Sequence, residues 1–275
     1  MSILQAIILG IIQGATEFLP ISSSGHLVLL PWWFNWELPH NLVYPVAVHL
    51  GTLLAVLIYF RQDWIRLFHG LVRLIQTRKL DHPDSLLLVY LTIGSIPVAT
   101  FGSFLARRLE ETFQTPVAVA ALLVVTAGLL ILAERLTAIR GKTGNQLDHM
   151  TWQDALVIGI AQLFALLPGV SRSGSTIAAG LIRGLSRAES ARFSFLLGAP
   201  AIVGAGILTS IQAINGNQFD GQLLPLLAGF TSAAIVGYVA IALLLAFVRR
   251  RRLYLFAAYC ILFAAVSLLA IGLGW

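Results

Sequence analysis

The stretch QGATEFLPISSSGH, from Gln13 to His26, decides how this chain is built. An apolar segment leads into it, yet it contains a carboxylate, a proline, three serines, a glycine and a histidine. Moving an unpaired charge into hydrocarbon costs several kcal/mol at least. Glu17 therefore needs a partner, and the chain around it needs a reason to leave the helical conformation.

The composition identifies the class of protein. The chain has 275 residues, of which 58% are hydrophobic and 11% are charged, and its mean hydropathy is +0.86. Soluble domains carry about 25% charged residues, so this composition predicts an integral membrane protein. The net charge of +6 does not predict a nucleic-acid partner, because the basic residues lie between apolar segments and form no basic groove.

The lengths of the apolar segments predict the fold. A membrane-spanning helix needs about 20 apolar residues. Six segments reach that length: 41–60, 84–106, 115–134, 190–213, 222–248 and 253–273. Two shorter segments, 3–19 and 152–167, end at proline and glycine and predict re-entrant hairpins whose polar loops lie at membrane depth. The expected fold is all-α, with six full transmembrane helices plus two re-entrant helical hairpins.

The positions of the basic residues predict the orientation in the membrane. If each hairpin enters and leaves on one side, fifteen of the eighteen Lys and Arg residues fall on one face, in 61–83, 135–151 (Lys142 included), 183–192 and 249–252. The positive-inside rule makes this face cytoplasmic and places both termini outside. Residues 62–80 alternate apolar and basic side chains, which predicts an amphipathic helix on the cytoplasmic surface.

An internal repeat relates the two halves of the chain at an offset of 149 residues. GIIQ at 10–13 matches GIAQ at 159–162, and SSSG at 22–25 matches SRSG at 171–174. We expect a single membrane domain, 1–275, with repeat 1 at about 1–136 and repeat 2 at about 150–275. Each repeat has three full spans, so the second is inverted and the two hairpin tips meet near the midplane.

The second hairpin tip, PGVSRSGST at 168–176, has the chemistry of a phosphate or oxyanion site. Its hydroxyls are donors, the planar fork of Arg172 suits phosphate oxygens, and the helix that begins there offers free N–H groups. The alternative is a serine-rich turn with a structural arginine. Arg172 is also the expected partner of Glu17, since each charge offsets the other's desolvation.

The first hairpin tip supplies candidates for catalysis. Ser23 and His26 share a face of a nascent helix, and Glu17 can reach back toward His26, which gives a nucleophile, a base and an orienting group. Gln13, one turn before Glu17, can hydrogen-bond a carboxylate or a ligand. Packing roles for His26 and Gln13 are the alternatives. His49 is interpreted as a satisfied buried histidine, with cavity lining as the second option.

These two stretches resemble the motifs of the undecaprenyl-diphosphate phosphatase family, also called the bacitracin resistance family. The first motif is Glu or Gln, three residues and Glu, followed by a Pro–Ser–Ser–x–Gly–His-like run; here it is Gln13–Glu17 and LPISSSGH. The second, Pro–Gly–x–Ser–Arg–Ser–x–x–Thr, is matched in full by 168–176. Gln13 takes the glutamine option, which argues against any role that needs a second carboxylate there, direct metal ligation included.

The resemblance implies a function and a set of site residues. It implies hydrolysis of the C55 isoprenoid diphosphate to the monophosphate in the bacterial inner (plasma) membrane, at a site that opens outward. It also implies that Mg²⁺ or Ca²⁺ helps the reaction, and it leaves the way in which the cation binds undetermined. By position, the catalytic group is Glu17, Ser23, His26 and Arg172. The expected substrate-binding or phosphate-binding residues are Gln13, Ser22, Ser24, Ser171, Ser173, Gly174 and Thr176.

The sequence leaves two mechanisms and two functions open. Either Ser23 attacks the terminal phosphorus while His26, oriented by Glu17, handles the proton, or His26 activates a water; Arg172 neutralises phosphoryl charge in both. The competing function is a carrier-lipid flippase, alone or combined with the phosphatase. A nucleophile beside a base favours the enzyme. The oligomeric state is open, with a homodimer as one option.

Overall fold

The computed structural model describes residues 1–36, 43–113, 115–141, 144–215 and 223–274. These ranges leave out positions 41, 42 and 222 of the predicted spans, Lys142, and position 275 at the end of repeat 2. Within them the regular elements are helices, apart from a short 3₁₀ turn at Leu147–His149 and one isolated bridge. The α-helices are α1 Ile3–Phe18, α2 Ser23–Trp33, α3 Val43–Tyr59, α4 Arg61–Thr77, α5 Pro83–Phe113, α6 Pro116–Arg140, α7 Trp152–Phe164, α8 Arg172–Ile182, α9 Arg187–Asn215, α10 Leu223–Val248 and α11 Tyr254–Gly272.

The predicted all-α membrane protein is confirmed at the level of its helices. In the described part of the chain, α5, α6, α9, α10 and α11 each contain a stretch long and apolar enough to cross a membrane. Helices α3 and α4, which meet at a bend of 76°, reach that length and apolarity only as a pair. The described chain therefore has five such stretches, or six if this bent pair counts as one. Helix α4 covers the segment predicted to be amphipathic.

The helices α1 and α7 begin and end for identifiable reasons. Each starts with a capping box, formed by Ser2 with Gln5 in α1 and by Thr151 with Asp154 in α7. Helix α1 ends where Leu19 turns extended before a proline, a conformation that proline imposes on the preceding residue. After α7, Gly169 takes a φ of +102°, and a side chain there would overlap the backbone of α6.

Close helix contacts hold the two breaks inside the molecule. Helix α1 packs against α10 and α3, whereas α7 packs against α5 and α8. At Gly159 of α7, a Cβ atom would overlap the carbonyl oxygen of Gly94 in α5, so only glycine allows this approach. Helix α9 is the most deeply buried of the five long spans and lies beside α8 and α3. The chain break after α1 is therefore buried, and the break after α7 is half-buried.

Ion pairs tie together the elements at the face where the basic residues cluster. Arg187 at the start of α9 makes two hydrogen bonds of 2.8 and 2.6 Å to Glu134 of α6, whose side chain is fully buried. The same carboxylate accepts the backbone N–H of Leu253, just before α11. Arg192 of α9 pairs with Asp63 of α4. Buried carboxylates are thus matched to arginines far from the two breaks.

Candidate active site

The two chain breaks meet through an ion pair. Arg172, the first residue of α8, donates from Nη2 to Oε1 of Glu17 in α1 at 2.6 Å. Both side chains are shielded, with 5% of Glu17 and 16% of Arg172 exposed. A buried charge needs a partner of opposite sign, and the predicted pairing of Glu17 with Arg172 is confirmed. The small exposed part of Arg172 keeps the guanidinium within reach of a ligand.

The second oxygen of Glu17 organises the first hairpin. Oε2 accepts a hydrogen bond of 2.9 Å from Nε2 of Gln13 and one of 2.6 Å from the hydroxyl of Ser23. Nε2 of His49, on α3, lies 3.6 Å from the same oxygen. The hydroxyl of Ser23 is therefore held against a carboxylate that can take its proton, at the N-terminus of α2.

Serines cap both short helices and link them. Ser22 caps α2 by accepting the N–H of Gly25 at 3.2 Å, and Ser171 caps α8 by accepting the N–H of Gly174 at 3.0 Å. Across the interface, the hydroxyl of Ser24 accepts the N–H of Gly169 at 3.3 Å. Helix N-termini carry partial positive charge, so two such ends meeting here favour an anion.

The predicted phosphate ligands lie at this site, but most are turned into the protein. Gln13, Ser22, Ser171, Ser173 and Thr176 are almost fully buried. Most of their polar groups have protein partners, such as the carbonyl of Leu19 for Ser173 at 3.2 Å and the hydroxyl of Ser194 for Thr176 at 2.6 Å. The buried Oε1 of Gln13 has no hydrogen-bond partner among the described residues. Direct phosphate binding by these residues stays a prediction that requires them to exchange partners. Ser23, Ser24 and Arg172 keep some exposure.

His26 occupies a different place from the one expected. Its Nδ1 lies 2.7 Å from the carbonyl oxygen of Ser22, and its Nε2 lies 2.7 Å from the hydroxyl of Tyr259 on α11. The ring stacks on Phe263 with centroids 4.5 Å apart. Because a carbonyl only accepts, Nδ1 carries the hydrogen of the bond to Ser22, and Nε2 shares a hydrogen bond with the hydroxyl of Tyr259. The predicted contact between Glu17 and His26 is not formed, since α2 turns the imidazole toward α11.

Sequence reasoning missed two residues of this region. His49 was interpreted mainly as a satisfied buried histidine, but its side chain is 34% exposed and lies beside Glu17. The stretch HLGTLLA, residues 49–55, resembles LLGAPAI, residues 196–202, in the second half of the chain. This resemblance was a weak sign that the segment containing His49 belongs to the site. Tyr259 is 233 residues from His26, inside an apolar segment, and no pattern in the sequence pointed to it.

The side chains at this site do not form a binding site for a metal ion. Among the described residues, no group of three or more His, Cys, Asp or Glu side chains could hold a metal ion. At the site, Oε1 of Glu17 is taken by Arg172, and Oε2 is taken by Gln13 and Ser23. The reaction steps that these side chains can perform therefore do not depend on a cation held by the protein.

Gly198 of α9 sets the position of the guanidinium. A Cβ atom at this glycine would overlap Nη1 of Arg172, which donates to the carbonyl of Ser194 at 3.2 Å. Only a residue without a side chain lets the guanidinium lie flat against α9. The backbone of α9 thus orients the charge that faces Glu17.

Gly198→Ala should displace the Arg172 guanidinium and lower kcat by about tenfold or more, because a catalytic charge moved by 1 Å loses much of its effect. The matched control is Gly204→Ala on the same helix, where a Cβ atom meets nothing within 4 Å. Turnover and thermal unfolding of both variants in detergent provide the measurement. Equal turnover in the two variants would contradict the role given to Gly198.

Comparison with known proteins agrees with this geometry. The family described as bacitracin resistance protein BacA matches residues 6–266. The undecaprenyl-diphosphatase of Thermomicrobium roseum is 44% identical over 283 residues, which cover 99% of each chain. That of Moorella thermoacetica is 43% identical over 97% of each chain, and that of Synechocystis sp. is 40% identical over 100% of this chain and 84% of its own. By this match along nearly its whole length, the chain belongs to the bacitracin resistance protein BacA family.

Proposed function

We propose that this protein is an undecaprenyl-diphosphatase of the bacterial inner membrane. It hydrolyses the C55 isoprenoid diphosphate to the monophosphate and phosphate, which returns the carrier lipid to cell-wall synthesis and confers bacitracin resistance. The observation that carries the proposal is the hydroxyl of Ser23 held at 2.6 Å from Glu17, whose other oxygen binds Arg172. Full-length relatives named for this reaction support it.

The geometry supports a mechanism in which Glu17 is the base. The oxygen of Ser23 attacks the terminal phosphorus, its proton passes to Oε2 of Glu17, and the bond from phosphorus to the bridging oxygen breaks to release the lipid monophosphate. A water then attacks the phosphoserine, and Glu17 returns the proton to the oxygen of Ser23 as phosphate leaves. Arg172 neutralises charge on the phosphoryl oxygens throughout.

His26 takes a supporting role in this mechanism. Its nitrogens are engaged by Ser22 and Tyr259, so the ring fixes the first turn of α2, which carries Ser23. The direct attack of water on the substrate, with Ser23 as a phosphate ligand, is the remaining variant. The two differ in whether phosphate is ever bound covalently to the protein.

The membrane arrangement is part of the proposal. Helices α1 and α2 form one re-entrant hairpin and α7 and α8 the other, within inverted repeats at about 1–136 and 150–275. The exchange of packing partners supports this. Helix α1 packs against α10, the fourth helix of the second half, while α7 packs against α5, the counterpart of α10 in the first half. The cluster of basic residues on one face supports a cytoplasmic location for that face and a site open to the outside.

A divalent cation, a homodimer and lipid flipping each have a separate test. A divalent cation, Mg²⁺ or Ca²⁺, is part of the expected reaction, although the protein residues do not form its site, and assays with and without a chelator test it. A homodimer is tested by the mass of the detergent-solubilised protein. The carrier-lipid flippase is not favoured, because the relatives are named as diphosphatases and Ser23 lies against a base.

The test is release of phosphate from C55 and C15 isoprenoid diphosphates by the purified protein in detergent. We expect turnover of both lipids, and accumulation of the corresponding monophosphate in a one-to-one ratio with phosphate. No release under any divalent cation, together with movement of the lipid between leaflets in vesicles, would favour the flippase instead.

A further inference from the structure

His49 of α3 has a defined hydrogen on one ring nitrogen. Its Nδ1 lies 2.7 Å from the carbonyl oxygen of Pro45, one turn earlier in the same helix. A carbonyl oxygen has no hydrogen to give, so the hydrogen of this bond belongs to Nδ1. In a neutral ring, Nε2 would then present only a lone pair.

The carboxylate of Glu17 faces that second nitrogen. Nε2 of His49 lies 3.6 Å from Oε2 of Glu17. A bare lone pair directed at a carboxylate is repelled, whereas a protonated Nε2 forms an ion pair. The ring satisfies both contacts only when Nε2 carries a hydrogen as well as Nδ1.

The surroundings of His49 offer no other charge that would change this conclusion. Among the described residues, the charged groups at the site are Glu17 on α1 and Arg172 on α8. Helix α10, which packs against α3, has no Asp, Glu, Lys, Arg or His, and on α9 and α4 Arg192 pairs with Asp63. Both ring nitrogens of His26 are occupied by other partners, the carbonyl oxygen of Ser22 and the hydroxyl of Tyr259.

The charge balance of the site needs a further cation. Glu17 and Arg172 cancel one another, which leaves the pair without net charge for a substrate that carries several negative charges. A protonated His49 makes the cluster positive by one charge. Its 34% exposure also leaves the imidazolium able to turn from Glu17 toward a ligand, whereas Gln13 is fully enclosed.

We infer that His49 is a substrate-binding residue, whose charged Nε2–H pairs with Glu17 in the free protein and with the terminal phosphate of the lipid diphosphate in the complex. Arg172 and His49 then contact the phosphate from α8 and α3, and Glu17 is released to accept the proton of Ser23. This inference rests on the proposed function, and it adds a residue that gives the site its net positive charge.

His49→Gln keeps an N–H donor of similar reach but removes the charge. We expect its KM for C15 diphosphate to rise about tenfold, with kcat changed much less, because one charge-assisted hydrogen bond becomes a neutral one. His69→Gln, at an exposed histidine of α4, is the matched control and should behave like the parent.

A charge-restoring variant and a binding measurement complete the test. His49→Lys should recover part of the affinity. Binding of C15 diphosphate, measured by calorimetry, reports on His49 even without turnover. Equal affinity in His49→Gln and His69→Gln would overturn the inference. Absence of phosphate release from the parent, with binding that still depends on His49, would instead overturn the proposed phosphatase.

Discussion

Arg172→Ala should reduce phosphate release at least about 1,000-fold while the protein still inserts and purifies, because it removes the main positive charge at the transferred phosphoryl group. The guanidinium is anchored on both sides, by the carbonyl of Ser194 at 3.2 Å and by Glu17 at 2.6 Å. Arg172→Lys should also lose most activity. The ammonium group of lysine has no planar fork, so it cannot bind both anchors and a phosphate at the same time. Phosphate release from C15 diphosphate measures both variants.

Loss of folding needs to be separated from loss of chemistry in this experiment. Arg172→Ala leaves Glu17 buried without its main partner, which destabilises a protein by roughly 3–5 kcal/mol when no relaxation occurs. The double variant Arg172→Met with Glu17→Gln removes both charges and should recover thermal stability but no turnover. Arg183→Ala, at the opposite end of α8 and 41% exposed, is the control for an arginine lost from the same helix. Near-normal turnover in Arg172→Ala would end the proposed mechanism.

Ser23→Ala should reduce turnover by roughly 1,000-fold or more if Ser23 is the nucleophile, because the covalent route disappears with its oxygen. Ser24→Ala is the neighbouring control. Ser24 accepts the N–H of Gly169 at 3.3 Å, so its loss removes a link between the hairpins but no attacking group. We expect a change of only a few-fold there.

A rapid acid quench should also trap the intermediate. Mass spectrometry of quenched reactions should find phosphate on Ser23 in the parent protein and none in Ser23→Ala. If Ser23→Ala keeps activity within tenfold and no phosphoserine forms, water attacks the substrate directly and Ser23 acts as a phosphate ligand. Both outcomes can be read from one set of reactions with the same substrate.

The fold and the pairing at its centre were predictable for a physical reason. A carboxylate in an apolar segment needs a cation, and the sequence offers Arg172 in the only other interrupted apolar segment. Proline and glycine marked the breaks after α1 and α7. Helix α1 ends at Phe18, just before Pro20, and α7 ends at Phe164, one turn before Pro168. Strong local signals and a large desolvation penalty together predicted the helices and the ion pair between Glu17 and Arg172.

The orientation of the histidines was not predictable in the same way. Spacing places Ser23 and His26 on a common face, but the rotation of α2 against α11 decides which neighbour each side chain meets. The result is that Ser23 contacts Glu17 while His26 contacts Tyr259. His49 reaches Glu17 only because α3 packs beside α1, a contact between segments with no shared motif. Such relations depend on tertiary packing, which one sequence does not encode locally.

The ion pair at the centre also affects how the protein is made. Arg172 follows Glu17 by 155 residues, so the ribosome completes α1, α2 and several later helices before the matching charge exists. Until then the nascent carboxylate lacks its main partner, and the segment around it has little reason to settle in its final place. Assembly of the site is therefore a late event in biogenesis, and a chain truncated before α8 would carry every residue of the first motif without a stable place for it.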